Sequence, residues 1–490
     1  MSSTIPLVIN PSDYTKLQEA YDLLTTKYLK LEHELQWLKR QLFGKKSEHF
    51  IPNDKQLSLD LDVPFENVEI QKEEITYTRN KVKKQNGHSR GTMPTHLPFD
   101  DTIIEPQEDV SGLKKIGEEI TWEYEYTPGS LIIHRYIRPK YERKDQDGIT
   151  IGQLPSRPIE KGNFGPGFMA QVSVDKYLYH MPLYRQIQRF NRHYGVLFSE
   201  STFVDIISKT AFWLESVYVL FKKKVLQSDY IMADETPIPV LIKLSKKKMH
   251  KGYYWVYYDP LSKVVVFDFQ KTRSREGPNS FLKDFKGILQ IDGYAGYNDV
   301  VSREEVIRAS CMAHVRRGFD KALGYNEAKA EYALNQIKDW FAVEKESRED
   351  NLSYEERLAI RKDRLVESFE EFKKWMIQQI REETPQSPIH KACDYGLGQW
   401  DGFKPFLTNG HVELSNNLVE NIIRPVTLGR KNYLFKGSEN GAKRGAIIYS
   451  IIAIAKLHDL DPLRYIKMLL KELPNTQSND IDKFMPDTLK

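Results

Sequence analysis

The chain has 490 residues, 40% hydrophobic and 29% charged, which suits about three folded units with a substantial core. Its 72 basic and 68 acidic residues leave a net charge of only +4, so bulk charge does not by itself announce a nucleic-acid partner. No run of about 18 apolar residues is present, the N-terminus lacks a basic segment leading into an apolar one, and two isolated cysteines make no disulfide framework, so no membrane partner is expected and the setting expected is the reducing cytoplasm.

Taken in chain order, residues 13–43 carry the strongest helical pattern. Leu17, Leu24, Leu31 and Leu38 recur every seven positions, with Tyr21, Tyr28, Leu35 and Leu42 as the partner seam, which predicts a short coiled coil and a homo-oligomer. Residues 51–95 pass from an acidic stretch to a basic one with little apolar periodicity and read as a linker. From 96 to 157, runs such as ITWEYEYT and LIIHRYIRPKY predict a small β-rich module, closed by Pro155 and Pro158. Residues 166–225 read as helices around a Gly195 turn, with Ser199 as an N-cap, in a helix-turn-helix-like arrangement for DNA binding.

Strands are then expected at 229–242, 252–258, 263–270, 287–292 and 305–311, the first three as an antiparallel meander and a helix near 278–285 before the fourth. That order predicts an α/β, RNase-H-like domain over 226–324 and 401–470. The charged, helix-prone segment 325–400 reads as an insertion within it, since 128 positions separate Asp292 from Glu420, far more than a loop spans.

Three acids stand out by their flanks. Asp234 ends the apolar run IMA and Asp292 ends ILQI, so each sits at the end of a buried strand, while Glu420 lies in a helical stretch rich in Asn, Arg and Lys. Three converging carboxylates suit two divalent ions roughly 3.5–4 Å apart, the arrangement that drives in-line displacement at phosphorus. Magnesium, or manganese, prefers such oxygen ligands. Between Arg424 and Gly445, Arg424, Arg430, Lys431, Lys436, Lys443 and Arg444 face one acid, Glu439, an excess able to neutralise phosphates. Cys311 and His314 form a Cys-x-x-His pair that cannot close a zinc site alone.

The segments ADETPIPVL, LQIDGYAGYN, CMAHVRRGF and NNLVENIIRPVTLGRKNYLFKGS, at 233–241, 289–298, 311–319 and 416–438, closely resemble the insertion-sequence-66 family of bacterial DDE transposases. QLFGKKSE at 41–48 and YHMPLYRQIQRF at 179–190 extend the resemblance over almost the whole chain. The resemblance implies that Asp234, Asp292 and Glu420 are the catalytic and metal-holding acids, with His314, Asn416 and Asn417 in support and Arg316, Arg317, Arg424, Arg430, Lys431 and Lys436 contacting DNA. It implies a transposase that binds terminal inverted repeats and target DNA, cleaves with two Mg2+ ions and transfers the strand, aided by small accessory proteins. One departure is plain. The family's zinc module is built on two Cys pairs, which would fall near 106–112 and just after Tyr141, and neither is here, so no structural zinc is expected. A DNA-binding protein with lapsed catalysis, or an RNase-H-like nuclease without strand transfer, remains an alternative.

Overall fold

The computed structural model describes residues 162–242 and 249–488, with short pieces between 129 and 159. The coiled coil expected at 13–43, the linker at 51–95 and most of the β-rich module at 96–157 lie outside the described residues. The chain divides into two compact units, 1–132 and 133–490, and the architecture below is that of the second. Of the β-rich module it includes one antiparallel pair, β1 (Lys140–Glu142) and β2 (Ile149–Ile151), with Lys140 opposite Ile151.

Three helices follow. Helix α1 (Pro166–Tyr177) opens on a proline, whose missing N–H would have had no partner there. Helix α2 (Leu183–Tyr194) stops at Gly195, which takes the left-handed conformation at φ 64°. Helix α3 (Glu200–Leu226) starts where Ser199 accepts the Thr202 N–H at 3.1 Å, the cap its sequence announces. Its side bearing Phe203, Ile206, Leu214, Val217, Phe221 and Val225 is buried along its full length. That side of the helix after the glycine turn is committed to the core, while Val204, Phe212 and Val219 on the rest of its surface are exposed.

One mixed sheet organises the rest. Strands β3 (Tyr230–Leu241), β4 (Met249–Asp259) and β5 (Val264–Gln270) form an antiparallel meander, with Asp234 opposite Val256 and Trp255 opposite Asp268. Helix α4 (Glu276–Phe281) leads into β6 (Gly287–Gln290), and α5 (Asn298–Val301) into β7 (Val306–Ala309). Both late strands run parallel to β3, so the spatial order is β5-β4-β3-β6-β7. The apolar runs in β3, β5 and β6 are buried, as expected of strands covered by helices. Gly287, at φ 127°, begins β6 where any Cβ would meet the Asp229 carbonyl oxygen at 2.5 Å.

The remaining helices are α6 (Met312–Ala322), α7 (Glu327–Glu349), α8 (Tyr354–Arg364), α9 (Val366–Glu382), α10 (Pro388–Gly398), α11 (Lys404–Thr408), α12 (Asn417–Tyr433), α13 (Glu439–Leu457) and α14 (Pro462–Glu472). Helices α3 and α13 cover the β5 end of the sheet. There the Phe267 N–H donates to Ser450 Oγ of α13 at 2.9 Å, and the Phe267 carbonyl accepts the Tyr218 hydroxyl of α3 at 2.9 Å. Polar groups that an open edge would leave unpaired are thus satisfied by side chains. The fold is mixed α/β, mostly helical around this single sheet.

The helices of 327–398 are tied back to the sheet by a buried ion network. Glu344 on α7 accepts Arg361 Nε at 2.6 Å and Arg357 Nη2 at 2.7 Å, both from α8. Arg361 also donates to the Phe406 and Asn409 carbonyls, and Arg357 to Glu413. Glu413 continues inward: its N–H donates to the Tyr230 hydroxyl and its carbonyl accepts Gln290 Nε2. The helical segment therefore grips the strand of chain that leads directly into α12.

Candidate active site

Asp234 lies in the middle of β3, where its Oδ1 accepts the Glu235 N–H at 2.7 Å. Asp292 stands two residues beyond the end of β6, before Gly293 at φ 91°, and its Oδ1 accepts the Tyr294 N–H at 2.9 Å. Neighbouring parallel strands thus bring the two aspartates, 58 positions apart in sequence, to adjacent places on the sheet. Glu420 arrives from a different layer, in the first turn of α12. What sets that helix against β3 is Asn416, its cap residue, fully buried. Asn416 Nδ2 donates to the Ala233 carbonyl, next to Asp234, at 2.9 Å, and its N–H donates to Cys311 Sγ at 3.1 Å. Asn417, the other asparagine expected to help, makes no side-chain hydrogen bond among the described residues.

His314, in the first turn of α6, stands between the second and third acids. Its Nε2 is 3.9 Å from Asp292 Oδ2 and its Nδ1 is 3.9 Å from Glu420 Oε1. Burial, with the adjacent Arg317 guanidinium, outweighs the two carboxylates and holds His314 below the ordinary imidazole range, so the ring is neutral near pH 7. Arg317 Nη2 donates to both oxygens of Glu420, at 2.9 and 2.7 Å. Burial raises the Asp234 carboxyl well above its ordinary value, and the charges of Glu235, Asp292 and Glu420 add to the shift. The three acids therefore share one electrostatic neighbourhood.

Sequence reading missed the next ring of residues. Glu235, buried beside Asp234, accepts Arg273 Nε at 2.7 Å and the Tyr297 hydroxyl at 3.3 Å. The Arg273 guanidinium lies 3.8 Å from the Tyr294 ring centre, and the Tyr294 hydroxyl donates to the Arg273 carbonyl at 2.6 Å. The Tyr395 hydroxyl of α10 donates to the Asp292 carbonyl at 2.6 Å. The adjacent acids of ADET and the tyrosines of DGYAGY were the available signal, whereas Arg273 and Tyr395 are brought in by the fold alone.

The expected DNA-contact residues divide. Arg424 and Lys431 are exposed on α12, and Arg316 is half-buried on α6. Arg317 is engaged with Glu420. Arg430 is half-buried and donates to the Pro237 carbonyl and to Thr236 Oγ1, bracing α12 on β3. Lys436 is 4% exposed and is withdrawn from the DNA-contact set. Its ammonium sits 4.8 Å from the Tyr177 ring centre, 4.6 Å from that of Tyr433 and 5.4 Å from that of Tyr449, and its backbone pairs with Pro239 and Leu241 of β3. The backbone pairing pulls the side chain inward, where burial drives its pKa well below the ordinary lysine value.

A sequence profile described as Transposase IS66 family matches residues 161–444, the stretch that carries all three acids. The chain belongs to the IS66 transposase family. Two further profiles match this IS66-family chain, one described as Transposase C of IS166 homeodomain over residues 30–101 and one as IS66 C-terminal element over 450–486. Transposition of an insertion sequence is the family's business, its members are enzymes, and they generally use divalent metal ions. Relatives include three proteins of Sinorhizobium fredii (strain NBRC 101917 / NGR234), each described as uncharacterized. The protein y4jD is 29% identical over 96% of this chain and 97% of its own length. The proteins y4qI and y4hP are 29% and 27% identical, each over 93% of this chain and 88% of their own length. Among solved structures, the Mos1 transposase paired-end complex with left transposon end is 11% identical over 51% of this chain and 79% of that one, with a TM-score of 0.13, at which no shared fold follows.

The donor chemistry suits the divalent ion such a family uses. Asp234, Asp292 and Glu420 are hard oxygen donors, and the half-buried Asp234 carboxyl is made reluctant to ionise by desolvation and then by its negative neighbours, which a bound cation would offset. As they stand, no group of three or more His, Cys, Asp or Glu among the described residues closes around one point. Glu420 is turned onto Arg317 instead.

Proposed function

We propose that this chain is a DDE transposase with an RNase-H-like catalytic domain, which binds the terminal inverted repeats of its own element, cuts there and joins the freed 3′-end to target DNA. The observation that carries the reading is geometric: β3 runs parallel beside β6, which sets Asp234 next to the segment bearing Asp292, and His314 lies 3.9 Å from both Asp292 and Glu420. The sheet order β5-β4-β3-β6-β7 supports the fold assignment, with the first acid on the first strand of the meander and the second just past the fourth strand of the sheet.

Asp234, Asp292 and Glu420 would hold two Mg2+ or Mn2+ ions, which when bound polarise the phosphodiester and make water or a 3′-hydroxyl nucleophilic at neutral pH. Backbone amides at 235 and 294 orient one oxygen of each aspartate before any ligand arrives. His314 stands 3.9 Å from an oxygen of each of Asp292 and Glu420, beyond hydrogen-bond length, with Nε2 3.1 Å from Arg317 Nη1, and would support the acids rather than hold the ions. Arg317 balances the Glu420 charge and must release it when the acid turns to a cation. Arg424, Lys431 and Arg316 would lie against phosphates, which position DNA without reading its sequence. Small accessory proteins and a homo-oligomer complete the reading.

Asp234→Asn tests it. The variant is expected to fold and bind DNA as the parent does and to lose Mg2+-dependent strand cleavage, because an amide is a poorer ligand for a hard cation. Mg2+ should also raise the melting temperature of the parent chain but not of the variant, since only a ligand bound to the native state stabilises it. Cleavage by the variant at the parental rate would remove Asp234 from the mechanism.

A further inference from the structure

About three turns along α12 from Glu420, a cleft of about 390 Å³ opens between α2 and the end of α12. Arg185, Arg189, Arg192 and His193 of α2, His180 of the preceding turn and Asn432 of α12 contribute to its walls, and no acidic side chain does. The sequence of α2 builds it. Gln186, Ile187 and Phe190 are buried, and Gln186 Nε2 fixes the helix by donating to the Val172 and Met181 carbonyls. Arg185, Gln188, Arg189 and Arg192 then recur at the spacing of one helix face, and apart from the half-buried Arg189 they are exposed.

Only one of these arginines is in an ion pair among the described residues. Arg189 is anchored by buried Asp175. Arg185 rests against its own neighbour, the Tyr184 ring, 5.7 Å from the ring centre. Arg192 makes no ion pair among the described residues. His180 Nδ1 is buried with no hydrogen-bond partner. Exposed Tyr179 adds aromatic surface to the cleft. A cleft with several cations, amide side chains and no acid fits a polyanion.

Its place on α12 says which one. Asn432 is twelve residues beyond Glu420 on the same helix, about 18 Å at 1.5 Å per residue. The exposed side chains between them, Asn421, Arg424, Leu428 and Lys431, leave that path without a carboxylate. At 3.4 Å per nucleotide along one strand, 18 Å is about five base pairs. We infer that the α2 cleft binds the phosphodiester backbone of the substrate duplex about five base pairs from the reacting phosphate. The inference rests on the DNA-transposase reading and deepens it: α2 is a DNA-facing helix of this region.

The test uses the full-length chain and a fluorescent 30-base-pair duplex of random sequence, followed by anisotropy over a range of salt. The paired substitution Arg185→Ala with Arg192→Ala removes two exposed side chains, so thermal unfolding should match the parent. Binding should weaken, and the slope of log affinity against log salt should become shallower by about two. Parental affinity and slope in the double variant would overturn the cleft while leaving the transposase reading intact. Failure of the parent chain to bind the duplex at all would instead overturn that reading, and the cleft with it. Placement is tested with a photo-crosslinker on Arg192→Cys, because Cys311 and Cys393 are buried with thiols pushed up to about 12 and stay unlabelled. On a duplex with a mapped cut, crosslinks should fall about five base pairs from it, and crosslinks confined to more than about ten base pairs away would overturn the placement.

Discussion

Asn416 shows how much one side chain decides. Its amide nitrogen reaches across to the Ala233 carbonyl and its backbone N–H to Cys311, so one buried residue joins α12, β3 and the start of α6. Replacing it with Ala strands the Ala233 carbonyl and should cost about 1–3 kcal/mol. Urea unfolding of Asn416→Ala should show that loss, while Asn417→Ala, with no such bond, should stay within about 0.5 kcal/mol of the parent. Sequence reading named both asparagines but had no means to rank them, because which one points inward depends on where the helix begins. Lys436 makes the same point in reverse. A lysine in a basic stretch reads as a phosphate contact, yet here its ammonium has no hydrogen-bond partner and lies among tyrosine rings. Lys436→Met keeps the stem and removes a buried amine that has no hydrogen-bond partner, so the melting temperature should hold or rise, and DNA affinity should not change. A fall in affinity at constant stability would return Lys436 to the DNA-contact set.

Among elements, the helical stretch between the second and third acids has a mechanical role. Through Glu344, Arg357 and Arg361 it holds residues 406–413, and these deliver α12 to the sheet. Burial opposes ionisation of Glu344, but the two arginines prevail and keep its carboxyl below the usual range. Glu344→Gln leaves buried Arg361 without its counter-charge and Arg357 with Glu413 alone, and should cost about 3–5 kcal/mol in chemical denaturation at pH 7. Because the folded value lies below the unfolded one of about 4.3, the carboxylate's contribution is complete above that pH. It is lost as pH falls through the folded value, so the gap between parent and variant should close only in that acidic range. The helical character of 325–400 was legible from charge and periodicity; the grip on 406–413 was not, since Glu344, Arg361 and Glu413 acquire their meaning only once they are buried together.

At the scale of the whole molecule, synapsis of two DNA ends would give an N-terminal coiled coil an obvious use. If Leu17, Leu24, Leu31 and Leu38 form an intermolecular seam, Leu31→Asp puts a charge in it, and light scattering should report a smaller species than the parent. An unchanged mass for the variant would mean that the helix packs within its own chain. The sequence by itself determined the family and, within the described residues, the five strands of the sheet, because apolar runs and long ordered motifs are local signals that survive without coordinates. It marked Asp234 and Asp292 because an acid directly after an apolar run is conspicuous in one dimension, but only Asp292 stands past a strand end; Asp234 lies mid-strand, because β3 continues to Leu241. Only the tertiary structure decided which cations remain exposed to meet DNA. Burial is a property of how layers stack, so it withdrew Lys436, braced Arg430 on β3 and left Arg185 and Arg192 facing outward, while exposed Arg317 is taken up by Glu420.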